Sequence, residues 1–441
     1  MSNAPVFLIP SPLHKLAANA VESFCKRQSS LQNLTLSSPR VPSTLKKATF
    51  ALSLNVLKYL HVIDHIRKHI HLKSDKLSFH LVNVLIYDIT MGELVPQHES
   101  SATALKCSPP AANIWNQRRT MSSVLENYML ANGAKSFEDL LPDSIKNDCK
   151  FTSSSRYVRI NGLRGLSPME LCQEFNATPD PLVPGLLLLP QSFGDLFSHP
   201  RVVSGDVMVQ DKSSCLPVVA LKLPPNAVVL DACSAPGSKT TMIIGLSNRP
   251  ARVIAVEKDA KRFSLLENNL VKFLNGDENV TVDLVPASFL DIDPEDDPFS
   301  TVEYILVDAQ CSGSGSTKVN ADASLGQHVS TVYSSKQSKR PTFSSTKLAQ
   351  LSETQIEMVS HALSFPSVKR VVYSTCSVFS QENEQVVATI LMRHFGWKLE
   401  TVIPEWPTRG DVSHGEMMRK CLRCDVTSEH GGFFVASFVR K

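Results

Sequence analysis

Apolar positions change their period along this chain. Across residues 11–90 they recur at three- and four-residue spacing. SPLHKLAANAVESFCKR starts at a Ser-Pro cap, and ATFALSLNVLKYLHVIDHIRKHI and LSFHLVNVLIYDITMGEL keep the same rhythm, so all three predict helices. PQHESSATALKCSPPAANIWNQRR is polar and proline-broken and predicts a loop or linker, after which SSVLENYMLANGAKSFEDLL resumes a helical pattern. SRYVRINGLRG (155–165) predicts a strand and turn, and LSPMELCQEFNA a Ser/Pro-capped helix. With the short elements around LVPGLLLLP they make a small α+β subdomain.

From about Ser204 short apolar runs alternate with helical segments. The runs are VVLDA (228–232), RVIAVE (252–257), VTVDLV (280–285), EYILVD (303–308) and RVVYST (370–375). Helices are expected to begin near Lys239, Ala260, Lys347 and Ser380. This alternation predicts an α/β domain, a parallel sheet with helices on both faces. Residues 313–346, rich in Ser, Thr, Lys and Gly, read as a mobile polar insertion beside the fourth strand. The expected division is 1–151 helical, 152–204 small α+β, and 205–441 α/β.

Sheets of this kind take ligands beyond the carboxyl ends of their strands. The chemically able residues of this half gather there. After the first strand comes ACSAPGSKT, after the second Glu257 and then Arg262. The fourth ends at Asp308 with Cys311 close behind, and the fifth runs into Cys376. The first turn holds a single glycine, Gly237, and so lacks a dinucleotide fingerprint. Its small residues still let backbone approach a ligand, and the amides near Ser238 and Lys239 suit a carboxylate. Glu257 is placed to accept hydrogen bonds from ribose hydroxyls. An arbitrary free cysteine is most often a buried packing residue. Cys376 and Cys311 each sit at a strand end among Ser, Thr or Gly, where nothing bulky blocks access.

Composition narrows the classes. With 441 residues the chain exceeds one ordinary core, and 42% apolar residues suffice for globular packing. The net charge is only +3, but over residues 1–130 Lys and Arg outnumber Asp and Glu by about two to one. That balance suits an acidic partner such as nucleic acid, or a solvated basic face. Ten cysteines in a chain this long do not make a disulfide scaffold. No apolar run approaches the roughly 18 residues of a membrane span. The opening MSNAPVFLIPSPLHKL has no basic start and no small-residue cleavage site, so a reducing interior is expected.

Four segments together resemble a known family. PPNAVVLDACSAPGSKT, YILVDAQCSGSG, VVYSTCS and GGFFVASF are similar, in this order, to the Sun-domain (RsmB-type) RNA cytosine-5 methyltransferases, and GDVMVQDKSSCLPVVAL before them fits as well. The likeness covers about 152–441 well and the helical N-terminus less. It is greatest to the eukaryotic branch acting on large-subunit ribosomal RNA. The resemblance implies a Rossmann-like domain that uses S-adenosylmethionine and makes 5-methylcytosine in large-subunit ribosomal RNA or a pre-ribosome, in the nucleus and nucleolus. It assigns the nucleophile to Cys376, product release to Cys311, contact with the cytosine to Asp308, and orientation to Lys239. The cofactor would lie against Cys233, Ser234, Ala235, Pro236, Gly237, Ser238, Lys239, Glu257, Arg262 and Asp308. It also implies that residues 152–204 are RNA-recognition-like, with Arg156, Tyr157 and Arg159 meeting RNA.

The chemistry is consistent with that assignment. Carbon 5 of cytosine is a poor nucleophile until a thiolate adds at carbon 6, and an acid must serve ring nitrogen 3. Three positions depart from the family pattern: Gln310 where Pro is usual, Ser288 where Asp is frequent with Asp291 as its substitute after a shift, and Glu257 where Asp is usual. Transfer RNA is the alternative RNA substrate. The rivals are a DNA cytosine-5 methyltransferase, in which Cys311 would attack, and a non-catalytic RNA-binding assembly factor. No metal site is expected. His61, His65 and His69 share a helix face without a fourth ligand, and Cys421 and Cys424 form a lone CxxC that reads as structural.

Overall fold

The computed structural model describes residues 7–26, 28–70, 77–92, 105–143, 145–146, 156–246, 252–277, 279–333, 345–425 and 431–441. The chain forms two compact units, one of residues 1–149 with 320–342 and one of residues 150–319 with 343–441.

The first unit is helical. Its first helix, Pro12–Cys25, begins at Ser11, whose side chain accepts from the His14 amide while the His14 ring accepts from the Ser11 amide. This reciprocal cap satisfies two amides that the helix leaves free. His14 Nε2 then reaches Asp88 Oδ2 at 2.8 Å, tying this helix to Phe79–Thr90. Val56, Leu57, Leu60, Ile63, Ile66, Leu85, Ile86 and Ile89 are fully buried between the helices. Two short strands, β1 (Phe7–Ile9) and β2 (Leu105–Cys107), pair in parallel.

Part of the stretch expected to be a loop is ordered otherwise. Residues 105–107 form β2, and Pro109–Asn116 form a helix with proline in its first turn, where the missing N–H costs nothing. Residues 96–104 of that stretch lie outside the described residues.

The expectation of a mobile insertion at 313–346 is corrected for its first half. Thr317–Val332 is a 16-residue helix, and Leu325 and Val329 are buried in the core of the helical unit. The polar composition hid it because only one narrow stripe of this helix is apolar. Residues 334–344 lie outside the described residues.

The second unit carries two sheets. The smaller has the order β4 (Thr178–Pro179), β5 (Leu186–Leu189), β3 (Arg156–Ile160), β6 (Val207–Val209), all antiparallel. Val158, Leu171, Phe175, Leu187 and Val207 pack under it against the helix Pro168–Phe175. β6 lies beyond residue 204, so the sequence-derived boundary there cuts off the strand that completes this sheet.

The larger sheet holds β7 (Val228–Asp231), β8 (Arg252–Val256), β9 (Val282–Val285), β10 (Tyr304–Asp308), β11 (Arg370–Thr375), β12 (Trp397–Glu400), β13 (Leu422–Cys424) and β14 (Phe433–Arg440). The order is β12-β14-β11-β10-β7-β8-β9, with β13 beside β14. The five expected strands are the parallel part, and β14 runs antiparallel to both β11 and β12. The sheet is therefore mixed. Near-continuous apolar runs such as Val253–Val256 and Ile305–Val307 are fully buried, as strands covered on both faces must be. Strand order reverses between β7 and β10, which opens the crevice at their carboxyl ends. Among the described residues no helix is long and apolar enough to cross a membrane.

Candidate active site

Register sets the site. In β10 and β11, Asp308 stands opposite Ser374, so the two strands end level. The loops that leave them bring Cys311 Sγ to 3.2 Å from Cys376 Sγ, although 65 residues separate the two in sequence. Small residues make this approach possible. Gly315 donates its amide to the Cys376 carbonyl at 2.9 Å and accepts from the Gly432 amide at 2.9 Å. A Cβ at Gly315 would sit 2.1 Å from the Gly432 oxygen, so no larger residue fits there.

The two thiols differ electrostatically. The hydrogen bond from Cys311 holds the Cys376 pKa below that of an ordinary thiol. Burial and the Asp308 charge oppose this, and Lys239 supports it. Cys311 is pushed well above the ordinary range, first by that same bond to Cys376 and then by burial. Lys239 is the second residue of the helix Ser238–Leu246, and its Nζ lies 2.8 Å from Asp308 Oδ2 and 3.0 Å from Ser214 Oγ. Burial disfavours its charge, but Asp308, Asp231 and Cys376 together outweigh burial and keep its pKa above the usual lysine value. Ser374 Oγ donates to Asp308 Oδ1 at 2.7 Å, which orients the carboxylate.

The turn after β7 is built around Asp231. Thr240 Oγ1 donates to its Oδ2 at 2.8 Å, and Ser234 Oγ to its carbonyl at 2.8 Å. Burial raises the Asp231 pKa to about 6. Gly237 has φ +105°, a conformation side-chain-bearing residues rarely adopt, and its amide closes the turn onto Ser234 at 2.7 Å. The amides of Ser238 and Lys239 head a nine-residue helix, where intrahelical acceptors are lacking. Glu257 is buried at the end of β8. One oxygen accepts from the Asp259 amide at 2.9 Å and the other meets Arg262 at 3.2 Å. Arg262 also donates to the Ala235 carbonyl at 2.7 Å, joining this carboxylate to the turn. A carboxylate can accept more bonds than these two, so Glu257 retains capacity for hydroxyl donors. First-turn amides for a carboxylate and this acceptor for a ribose suit the two ends of S-adenosylmethionine.

Tyr157 and Arg159 are corrected as RNA contacts, because both side chains point inward and are buried. Arg159 donates to Gln210 Oε1 at 2.7 Å and Thr241 Oγ1 at 2.8 Å, and its guanidinium lies 5.7 Å from the Phe273 ring centre. Burial lowers its pKa to about 10. It binds the small sheet to the helix carrying Lys239. Arg156 is exposed and donates to the carbonyls of Phe193 and Gly194.

His61, at the head of the histidine triplet, bonds the Leu140 carbonyl at 2.8 Å and meets His328 at 3.3 Å, and burial lowers its pKa. His65 packs on His69 and Tyr128. Among the described residues no cluster of three or more potential ligands is placed to hold a metal. Cys421 and Cys424 are buried. Gln310 is exposed, and its carbonyl accepts from Gln355 at 3.0 Å. Ser288 precedes a short turn, Phe289–Asp291, in which Asp291 is exposed.

Sequence reasoning missed Glu382, Ser374, Gln355 and Asn383. Glu382 and Asn383 fold back beneath the two cysteine loops, and Asn383 Nδ2 donates to the Ser377 carbonyl at 2.9 Å. The only sequence signal is a polar QENEQ run shortly after TCS, which looks like an ordinary helix start.

Residues 218–439 match the family described as 16S rRNA methyltransferase RsmB/F. The chain is 33% identical over 419 residues to the 25S rRNA (cytosine-C(5))-methyltransferase NSUN5 of Arabidopsis thaliana, covering 93% of this chain and 69% of the relative. It is 31% identical to a 28S rRNA (cytosine-C(5))-methyltransferase of Mus musculus, covering 97% and 91%. A methyltransferase homologue from Pyrococcus horikoshii shares the fold with a TM-score of 0.52 at 21% identity, over 68% of this chain and 90% of that one. The match over residues 218–439 and the identity to relatives over most of the chain show that the chain belongs to the RsmB/F family of methyltransferases.

Proposed function

We propose that this protein is an S-adenosylmethionine-dependent RNA cytosine-5 methyltransferase acting on large-subunit ribosomal RNA. The observation that carries the reading is the pair of thiols 3.2 Å apart beside the Lys239–Asp308 ion pair, all at the carboxyl ends of neighbouring strands. The names borne by the relatives support the substrate: 25S and 28S rRNA (cytosine-C(5))-methyltransferases.

Each side chain then has a role that its contacts support. Cys376, with its lowered pKa, is the nucleophile that adds to carbon 6 of cytosine. Asp308 contacts the ring, and the proton that ring nitrogen 3 takes up as the sulfur adds comes from the Lys239 ammonium through it. When bound, S-adenosylmethionine supplies the electrophilic methyl group for carbon 5. The amides of Ser238 and Lys239 would hold its carboxylate, and Glu257, braced by Arg262, its ribose hydroxyls. Once a base has removed the carbon-5 proton, the bond from carbon 6 to sulfur breaks. Cys311 then steadies the departing Cys376 sulfur with its S–H bond. Attack on the ring face requires a cytosine that is unpaired or flipped out.

Exposed Arg156 is the remaining candidate on β3 for contact with RNA phosphates. A pre-ribosome in the nucleolus is the setting this substrate implies. The test supplies methyl-labelled cofactor with separate pools of large-subunit ribosomal RNA, small-subunit ribosomal RNA, transfer RNA and DNA. Label is expected in the large-subunit pool, as bisulfite-resistant cytosine. Label confined to transfer RNA or DNA would overturn the substrate, and no label in any pool would overturn the activity.

A further inference from the structure

The loops carrying the two cysteines share a partner that plays no part in the chemistry above. Glu382 is fully buried, six residues beyond Cys376 in sequence. Its Oε1 accepts from the Ser312 amide at 2.8 Å, and Ser312 follows Cys311 directly. Its Oε2 accepts from Ser377 Oγ at 2.6 Å, and Ser377 follows Cys376 directly. Gln355 Nε2 donates to Oε1 at 3.1 Å and to the Gln310 carbonyl at 3.0 Å, so it braces the Cys311 loop from the other side. Tyr373 OH donates to the Glu382 carbonyl at 2.5 Å, which fixes the backbone that presents the carboxylate. One carboxylate therefore grips the residue after each thiol.

We infer that Glu382 is the positioning residue of the two-cysteine site: it locks the two loops in register and keeps the shared proton on Cys311, leaving Cys376 as the attacking sulfur. The inference rests on Cys376 being the nucleophile. The geometry is one of acceptor and donors. A carboxylate only accepts, and an amide, a carboxamide and a hydroxyl satisfy this one without neutralising it. Its negative charge lies on the Cys311 side and disfavours a second negative charge there. Lys239 and Asp308 face Cys376, with Asp231 behind Lys239. An isolated thiol pair would share its proton evenly. This pair stands between a lone carboxylate on one side and a lysine–aspartate pair on the other, so the proton settles on Cys311. Cys311 then donates to Cys376 across 3.2 Å.

The test uses the full chain with Glu382→Gln, which keeps the shape, removes the charge and replaces one acceptor with a donor. Two quantities are read. The first is selective alkylation by iodoacetamide at neutral pH, without RNA or cofactor, scored by peptide mass spectrometry as the ratio of modified Cys376 to modified Cys311. The second is the single-turnover methyl-transfer rate against pH. In Glu382→Gln the alkylation ratio is expected to fall by about fivefold or more, and, because loosened loops weaken the bond from Cys311 that lowers the Cys376 pKa, the rising limb of the pH profile to move up by about one unit. Cofactor affinity should stay within about twofold of the parent, because the carboxylate does not reach the turn after β7. A folded variant with an unchanged ratio and an unchanged limb overturns the inference. If Glu382→Gln does not fold, Ser377→Ala removes one of the three donors and should shift the ratio by about twofold; an unchanged ratio there overturns it equally. Because alkylation needs no RNA, a parent protein that methylates nothing would refute the proposed function while this ratio still judges Glu382.

Discussion

At the scale of single residues, the two neighbouring thiols of this largely buried site differ in their hold on a proton. Burial alone raises a thiol's pKa, as it does for Cys215, pushed up to about 12. Cys376 escapes because Cys311 donates to it and Lys239 stands near. Replacing Cys376 with alanine should cut methyl transfer to below about a thousandth while leaving cofactor affinity within about twofold. Filter binding of labelled cofactor and a methyl-transfer assay separate the two effects, and full turnover by the variant would refute the nucleophile. Cys311→Ala has two consequences. Release should stall, so a covalent protein–RNA adduct accumulates as a slow band on a denaturing gel. Adduct formation should also need higher pH, because the bond that lowers the Cys376 pKa is gone. Absence of a band across the pH range would remove Cys311 from the release step.

At the scale of elements, the fold is held by links that the strand pattern does not reveal. Arg159 joins β3 to the helix bearing Lys239, and its removal strands Gln210 and Thr241 without their donor. Arg159→Ala should cost about 3 kcal/mol of stability, read as a denaturant midpoint, with RNA affinity of the remaining folded protein unchanged. A selective loss of RNA binding instead would restore it as a contact. On the far edge, Glu400 of β12 pairs with Arg370 of β11 and Lys222, and Arg370 also donates to Ser437 of β14.

Arg370 is the first cause that brings the Glu400 pKa down to about 2. The folded value lies below the unfolded one, so this pair stabilises the fold above pH 4.5 and the gain is lost as pH falls through about 2. Glu400 is more than a third exposed, which limits the gain to about 1 kcal/mol. Glu400→Gln should lose that amount at pH 7, and the difference from the parent should shrink as denaturation curves are taken to lower pH.

At the scale of the whole molecule, the chain leaves the catalytic unit at residue 319 and returns at 343, having given a helix to the helical unit. Leu325 and Val329 of that helix belong to the helical unit and are buried in its core. A fragment beginning at Lys150 would expose both and should aggregate, and changing them to polar residues should recover soluble protein, measured by size-exclusion chromatography. Equal solubility of both fragments would show that the helix needs no cover.

Legibility followed the range of the interactions. The β7–β11 strands were readable because strands covered on both faces are written as apolar runs, and the turn after β7 because small residues follow the first of them. Arg159 misled because alternation along β3 does not say which face meets a neighbouring helix. The helix at 317–332 was missed because a helix inserted into another unit needs only a few apolar positions.

The sequence by itself determined the alternation of strand and helix, the gathering of Cys311, Cys376, Asp308, Lys239 and Glu257 at one sheet edge, and the family. Those properties are local or ordered along the chain. Only the tertiary structure decided that two thiols 65 residues apart lie within 3.2 Å, and that they differ in their hold on a proton. It alone decided that a single buried carboxylate grips the loops of both. Register between β10 and β11 and the return of the chain at Glu382 set these distances, and neither is written in any one segment.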